Sequence, residues 1–150
     1  MSETDSNTPL SHLVPQVCRL HHTRSQTLFS SIGLHRGQPF LLSVLWAEEG
    51  LAHSELAARM HVTPATITKM LQRMEDSGFV HREPDPDDQR VSRVYLTEHG
   101  RVVRQRVADM WQTLENEAFD GLSGEEQETL RELMARVRDN LSRANGDSSN

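Results

Sequence analysis

The chain has 150 residues, a formal net charge of −6 and only 5% aromatic residues. This length predicts one domain, and no apolar run approaches the ~18 residues of a membrane-spanning helix, so we expect no membrane segment. The polar first nine residues lack the apolar core of a secretory signal. The single cysteine, Cys18, excludes an internal disulfide framework. Together these features favour a cytoplasmic protein.

The first predicted helix follows residues 1–9, which are polar and which we expect to be disordered. Apolar residues then recur at heptad spacing and predict a helix from about Leu10 to Ser31. Pro15 lies inside this helix and should kink it or delay its start to Pro15. The heptad positions are Leu10, Leu13, Val17 and Leu20.

The second predicted helix runs from about Pro39 to Glu49 and ends at a capping glycine, Gly50. Its apolar residues lie on more than one side, which is typical of a helix buried between two layers. These residues are Phe40, Leu41, Val44, Leu45 and Trp46.

A short helix is predicted from His53 to Met60. Its small residue Ala57 suits a close crossing with the next helix, as in a helix-turn-helix. Because Ala52 has no side-chain oxygen to cap the helix, its start should shift towards Ser54.

The next helix is predicted from Thr63 to Ser77. Thr63 is a good N-cap, Pro64 fits the first helical position, and Gly78 supplies a left-handed cap at the end. One face is apolar and the other carries short, polar and cationic residues, which suits entry into a DNA major groove. The alternative is an amphipathic helix with a solvated polar face. The polar-face residues are Ala65, Thr66, Thr68, Lys69, Gln72 and Arg73.

A β-hairpin is predicted next, with strands at residues 79–83 and 91–97. The residues between them are rich in proline and aspartate and predict a polar tip. This hairpin would be a wing beside the preceding helix. Several cations of the helix and the wing could share one face: Lys69, Arg73, Arg82, Arg90 and Arg93.

The chain then returns to helix, from a cap at Thr97 to about Phe119, and a capping box at Ser123 starts a last helix. The apolar stripes of the first and last helices lack a partner within one chain, which predicts an intertwined homodimer. The predicted fold is mainly α with a small β-hairpin wing. A winged helix-turn-helix core at 37–97 is flanked by dimerisation helices at 10–36 and 98–144, and 145–150 form a frayed tail. Most of the excess negative charge, −4, falls in residues 98–150, outside the core.

From about Gly50 to Gly100 the chain resembles the MarR family of bacterial transcription regulators. The resemblance rests on Ser54-Glu55-Leu56-Ala57, Thr66-Ile67-Thr68, Gly78-Phe79-Val80, Asp88-Gln89-Arg90 and Leu96-Thr97-Glu98-His99-Gly100. It implies a homodimeric repressor that binds a pseudo-palindromic operator in double-stranded DNA. A small aromatic or phenolic anion would release the repressor from this DNA. A winged-helix module that binds protein instead of DNA is the alternative from another class.

The resemblance also assigns roles to individual residues. Base edges would be read near the start of the recognition helix, which begins at Pro64, by Ala65, Thr66, Thr68 and Gln72. Phosphate would be held by Ser54, Lys69 and Arg73, and Arg90, positioned by Asp88, would enter the minor groove. A ligand pocket is expected where the first, second and fifth helices meet the core. It would be lined by Arg19, His22, Phe40, Val44, Trp46 and Trp111.

The sequence gives little support for a redox, metal-binding or catalytic site. Cys18 is a candidate redox sensor, because peroxide-sensing members of the family carry a reactive cysteine on the first helix. The resemblance implies tyrosines that support such a cysteine, whereas the only tyrosine here, Tyr95, lies in the wing. Packing between the dimer helices is therefore the favoured interpretation of Cys18. The eight histidines are scattered and form no His-x-x-x-His pair, so we expect no metal and no cofactor. No nucleophile–base arrangement or phosphate-binding glycine loop is present, and we expect no enzymatic activity.

Overall fold

The computed structural model describes residues 7–146, and its mainly helical fold with a small antiparallel sheet confirms the predicted class. The predictions for residues 1–6 and 147–150 lie outside the described residues. Two compact units divide the chain, one ending at Leu114 and the other beginning at Glu115. None of the described helices is both long and apolar enough to cross a membrane. The elements are α1 (Leu10–Ser30), α2 (Gln38–Ala47), β1 (Leu51–Ala52), α3 (His53–Met60), α4 (Pro64–Asp76), β2 (Val80–Pro84), β3 (Ser92–Leu96), α5 (Glu98–Val102), α6 (Arg104–Ala118) and α7 (Gly124–Ala144).

Helix α1 begins at Leu10 and not at Pro15, which lies in its second turn. The carbonyl of Pro9 accepts the backbone N–H groups of His12 and Leu13 at 2.9 and 3.0 Å and so closes a first turn ahead of the internal proline. At the other end Phe29 is buried in the core. The heptad face, however, is exposed over most of its length within the protomer, and Leu10, Leu13, Val17 and Leu20 are all open to solvent.

Helix α2 contributes the centre of the core of the first unit. Leu41, Leu42 and Leu45 have no exposed surface, whereas Phe40 on the opposite side is 49% exposed. The helix begins after Gly37, whose φ of 77° lies in the left-handed region that glycine adopts without steric cost. It ends at Ala47, two residues before the predicted end.

Helix α3 begins at His53, so the shift towards Ser54 does not occur. The carboxylate Oε2 of Glu55 accepts the backbone N–H of Ala52 at 2.7 Å, and this is the half of a capping box that needs no side chain at the cap. Ala57 is buried, as expected for the residue at the crossing with α4. The connection begins at His61, which adopts a left-handed conformation with φ of 53°.

The sheet has three strands in the order β1-β3-β2, all antiparallel. The predicted hairpin is β2 and β3, with Val80 opposite Leu96 and Pro84 opposite Ser92. Strand β1 was not predicted, because its two residues are too short to show any alternation. It pairs Leu51 with Val94 and ties the start of α3 to the base of the wing.

The helix predicted from Thr97 to Phe119 is interrupted at Val103, which separates α5 from α6. The interruption is slight, since Val103 keeps helical φ and ψ and its N–H bonds to the carbonyl of His99 at 3.2 Å. Val103 and Val107 are buried in the core of the first unit.

The second unit contains the end of α6 and all of α7. The predicted capping box is present: Ser123 Oγ accepts the N–H of Glu126 at 3.2 Å, and Glu126 Oε2 accepts the N–H of Ser123 at 2.8 Å. No residue of α7 is buried. Its apolar residues therefore form an open face, made of Leu133, Met134, Val137 and Leu141.

Candidate nucleic-acid interface

Helix α4 is oriented by its ends and by its apolar face. Thr63 Oγ1 accepts the backbone N–H of Thr66 at 3.2 Å, and Pro64 occupies the first helical position. Ile67, Leu71 and Met74 are fully buried and fix the rotation of the helix. The predicted reading face is consequently exposed along its whole length, at Ala65, Thr66, Thr68, Lys69, Gln72 and Arg73.

The two threonine hydroxyls of this face already form hydrogen bonds within the helix. Thr68 Oγ1 donates to the carbonyl of Pro64 at 2.9 Å. Thr66 Oγ1 shares a hydrogen bond with Thr63 Oγ1 at 3.0 Å. Thr68 therefore offers lone pairs and a methyl group to a partner, which suit an exocyclic amine of a base or the methyl group of thymine.

Four of the five cations predicted to share one face fall into two groups. Lys69 and Arg73 are exposed, and within residues 7–146 neither forms an ion pair. Arg82 instead donates through Nε to Glu75 Oε2 at 2.9 Å and lowers the pKa of that carboxyl. Arg93 is bound to the Asp85 carboxylate and donates to the carbonyl of Gly50 at 2.8 Å. Arg82 and Arg93 are thus held by protein groups.

The fifth cation, Arg90, projects from the wing tip. Its guanidinium donates through Nε and Nη2 to the two carboxylate oxygens of Asp88, both at 3.0 Å. This hydrogen bond lowers the pKa of Asp88 and raises that of Arg90, so both groups are charged at neutral pH. The Arg90 side chain is nevertheless 90% exposed. Asp88 therefore orients a cation that is open to an external partner.

The base of the wing contains a residue that the sequence reasoning did not single out. Asp85 is buried, and its Oδ1 accepts the backbone N–H groups of Asp87 and Asp88 at 2.7 and 3.1 Å. Its other oxygen binds Arg93, and this hydrogen bond is the main cause of its lowered pKa. An aspartate between two prolines is a signal for such a turn, because its side chain accepts N–H groups two residues on.

Within residues 7–146, most of the predicted pocket residues line separate clefts or pack against the core. His22 lines a cleft of about 430 Å³ between α1 and the connector to α2, together with Phe29 and Arg36. Phe40 lines a second cleft, of about 590 Å³, beside α4. Arg19 lines neither cleft, and Val44 packs against the core. Trp46 Nε1 donates to the carbonyl of Gly100 at 2.9 Å. The ring centroid of Trp111 lies 4.7 Å from that of Phe29.

The other candidate residues lie on α3, on α1 and in the wing. Ser54 is exposed on α3, and Cys18 is exposed on α1. Tyr95 stacks on His81 in the wing, with ring centroids 5.7 Å apart. Within the described part of the chain, no three His, Cys, Asp or Glu side chains are grouped where they could hold a metal ion.

Comparison with known proteins agrees with this geometry. The MarR family model matches residues 34–92. The transcriptional regulator HosA of Escherichia coli O111:H- is 30% identical over 126 residues, which cover 84% of this chain and 92% of HosA. The transcriptional regulator TtmR of Methylorubrum extorquens is 34% identical over 69% of this chain, and the match spans 52% of TtmR.

A solved structure extends the likeness to the fold. A cysteine-to-serine mutant of MarR from E. coli complexed with operator DNA is 26% identical, with a TM-score of 0.77 over 86% of this chain and 93% of that one. These relatives are transcriptional regulators, so the prediction that the chain is not an enzyme is confirmed. The chain belongs to the MarR family, whose winged helix-turn-helix fold it shares.

Proposed function

We propose that this protein is a cytoplasmic homodimer that binds a pseudo-palindromic DNA operator and represses transcription. The observation that carries the proposal is the exposed face of α4, on which unpaired cations follow small and hydroxyl-bearing residues. The likeness to a MarR mutant complexed with operator DNA supports it.

In this proposal the exposed face of α4 from Ala65 to Arg73 lies in the major groove. Base edges are read by Ala65, Thr66, Thr68 and Gln72, and the helix start at Pro64 brings backbone close to the DNA. Ser54 on α3 and Lys69 and Arg73 on α4 bind phosphate. Arg90 enters the adjacent minor groove, with its guanidinium held by Asp88.

The proposed dimer covers apolar surface that one protomer leaves open. Val17 and Leu20 of α1 are 52% and 68% exposed, and in the second unit Leu141 of α7 is 56% exposed. Such rows of exposed apolar side chains are typical of interfaces. We assign dimerisation to residues 10–36 and 98–144, and DNA binding to residues 37–97. A two-fold axis would then place half-sites about one helical turn apart.

The test is an electrophoretic mobility shift with DNA flanking the protein's own gene, in the presence of excess random competitor DNA. We expect a shift that weakens as salt rises and that is lost in Lys69→Ala/Arg73→Ala. Sedimentation at micromolar concentration should give a dimer. A stable monomer, or no competitor-resistant shift with any fragment, would favour the protein-binding alternative.

We further propose that a small aromatic or phenolic anion releases the DNA. The cleft between α1 and the α2 connector supports this, because it combines His22, His35 and Arg36 with the ring of Phe29. A tenfold loss of operator affinity requires about 1.4 kcal/mol of coupling, which one charge-assisted hydrogen bond made in a single state can supply.

Peroxide oxidation of Cys18 is the competing signal. Cys18 is exposed on α1, whereas the only tyrosine of the chain, Tyr95, stacks on His81 in the wing. Operator titrations of wild type and Cys18→Ser, with a salicylate-like compound in one arm and organic peroxide in the other, separate the two signals. Release by peroxide that disappears in Cys18→Ser would reverse our preference.

A further inference from the structure

The side-chain amide of Gln72 is held from both sides on the exposed face of α4. Its Oε1 accepts a hydrogen bond from Arg82 Nη2 at 3.1 Å. Its Nε2 donates to Asp76 Oδ1 at 3.0 Å, one helical turn further on. The chemistry of these partners fixes which end of the amide faces which group, because a guanidinium can only donate and a carboxylate can only accept.

Arg82 is itself immobilised. Its Nε and Nη2 both donate to Glu75 Oε2, and the two side chains are only 27% and 31% exposed. The hydrogen bond from Arg82 lowers the pKa of Glu75, so this carboxylate remains charged at neutral pH. Arg82 belongs to β2 and Glu75 to α4, so the pair also ties the wing to the recognition helix. The guanidinium is therefore a fixed reference for the Gln72 amide.

Reversing the amide would place N–H groups against the guanidinium and the amide oxygen against the Asp76 carboxylate. Both hydrogen bonds would be lost and two repulsive contacts would replace them. A free glutamine can turn both of its N–H groups towards the two acceptors of guanine. Here one N–H of Gln72 already donates to Asp76, so Gln72 cannot donate both N–H groups to guanine.

One N–H group and one lone pair of Gln72 remain for an external partner. Adenine presents the complementary pair in the major groove, an acceptor at N7 and a donor at N6. We propose that Gln72 is preset to read adenine and that Arg82 and Asp76 are positioning residues for it. This inference rests on the proposed function, in which α4 lies in the major groove.

The first experiment selects DNA sites from a randomised pool with wild type and with Gln72→Ala. We expect one symmetry-related base pair in each half-site at which wild type requires adenine and Gln72→Ala accepts any base. An operator with 7-deazaadenine at that position lacks only the N7 acceptor. Wild type should bind this operator about tenfold more weakly than the parent operator, whereas Gln72→Ala should bind both equally.

The positioning role is tested with Arg82→Met, which keeps an aliphatic stem and removes the donors. It should lose most of the preference for adenine, while the slope of its salt dependence stays unchanged because no phosphate contact is lost. In the Gln72→Ala background Arg82→Met should have no further effect on base preference. Asp76→Ala tests the other side of the amide with the same expectation, and Arg131→Met, which removes an exposed ion pair from α7, is the control.

The outcomes separate this inference from the proposed function. If wild type binds DNA selectively and Gln72→Ala has the same base preferences, Gln72 does not read adenine. The inference then fails, whereas the proposed function stands. An Arg82→Met variant that binds all DNA equally more weakly, with a shallower salt dependence, would show that Arg82 contacts phosphate and does not position Gln72. If wild type binds no DNA selectively, both the proposed function and this inference fail.

Discussion

Substitution of Gly100 by alanine should destabilise the first unit strongly. Gly100 is buried in α5, where the helix approaches the chain that leads from α4 into the wing. A Cβ atom added at Gly100 would lie 2.1 Å from the carbonyl oxygen of Phe79 and 3.1 Å from Leu96 Cδ2. The first distance is more than 1 Å short of an ordinary carbon–oxygen contact, so backbone would have to move.

The surrounding hydrogen bonds oppose that movement. The backbone N–H of Thr97 donates to the same Phe79 carbonyl at 3.1 Å, Thr97 Oγ1 donates to the carbonyl of Gly78, and Trp46 Nε1 donates to the carbonyl of Gly100 at 2.9 Å. Overpacking alone costs about 1–3 kcal/mol, and losing one or two of these bonds adds about 1 kcal/mol each. We therefore expect the free energy of unfolding to fall by roughly 2–5 kcal/mol, and the midpoint of thermal unfolding by about 10 °C.

Urea and thermal unfolding followed by circular dichroism measure this loss, with all variants at one protomer concentration because the proposed dimerisation would shift the apparent stability. Gly124→Ala is the matched control. It also lies in a helix, but an added Cβ there has no atom within 4 Å. We expect it to leave stability unchanged or to raise it by about 0.5 kcal/mol. A Gly100→Ala variant as stable as the Gly124→Ala control would refute the steric argument.

Three further predictions concern the wing and its surroundings. Arg90→Ala should weaken binding to all sequences, with an extra loss for operators with A·T-rich flanks, where a narrow minor groove attracts arginine most; equal losses on both kinds of flank in a binding titration would contradict this. Asp85→Ala should reduce operator affinity only while Arg90 is present, because Asp85 accepts the backbone N–H of Asp88, the residue that holds Arg90; additive losses in the Asp85→Ala/Arg90→Ala variant would contradict the coupling. Burial, followed by the charge of Arg82, lowers the pKa of His53, so the unfolded chain takes up a proton near pH ~6.5 that the folded chain refuses. Stability should therefore fall as the pH drops below ~6.5, and His53→Gln should reduce the difference between melting temperatures at about pH 7.5 and 5.5; an unreduced difference would exclude His53 as the cause.

Local signals account for what the sequence predicted well. The start of α4 is determined by Thr63 and Pro64, and its end by Gly78, all within a few residues of the helix. Its buried face follows from the spacing of Ile67 and Leu71. Capping, proline geometry and helical periodicity each act over one or two turns, so they can be recognised without knowledge of the tertiary structure.

The features that the sequence did not reveal depend on distant partners. Strand β1 exists because Leu51 meets Val94, 43 positions away in the chain. The expectation that Arg82 would face DNA missed its pairing with Glu75, since nothing in the local sequence of the wing marks a partner on α4. Sequence spacing likewise could not show that Trp46, one of the six predicted pocket residues, donates from its ring nitrogen to the carbonyl of Gly100.

The pairing of cations decides how strongly DNA binding should depend on salt. If Lys69, Arg73 and Arg90 alone bind phosphate, the proposed dimer brings six cations, and the plot of log affinity against log salt should have a slope of about −5. If Arg82 and Arg93 also left their carboxylates to bind phosphate, ten cations would give a slope of about −9. The second outcome would first require two partly buried ion pairs to break, which leaves the carboxylates of Glu75 and Asp85 without their partners. A slope measured on one operator between about 50 and 200 mM salt distinguishes the two values, and one near −9 would refute the assignment of Arg82 and Arg93 to internal roles.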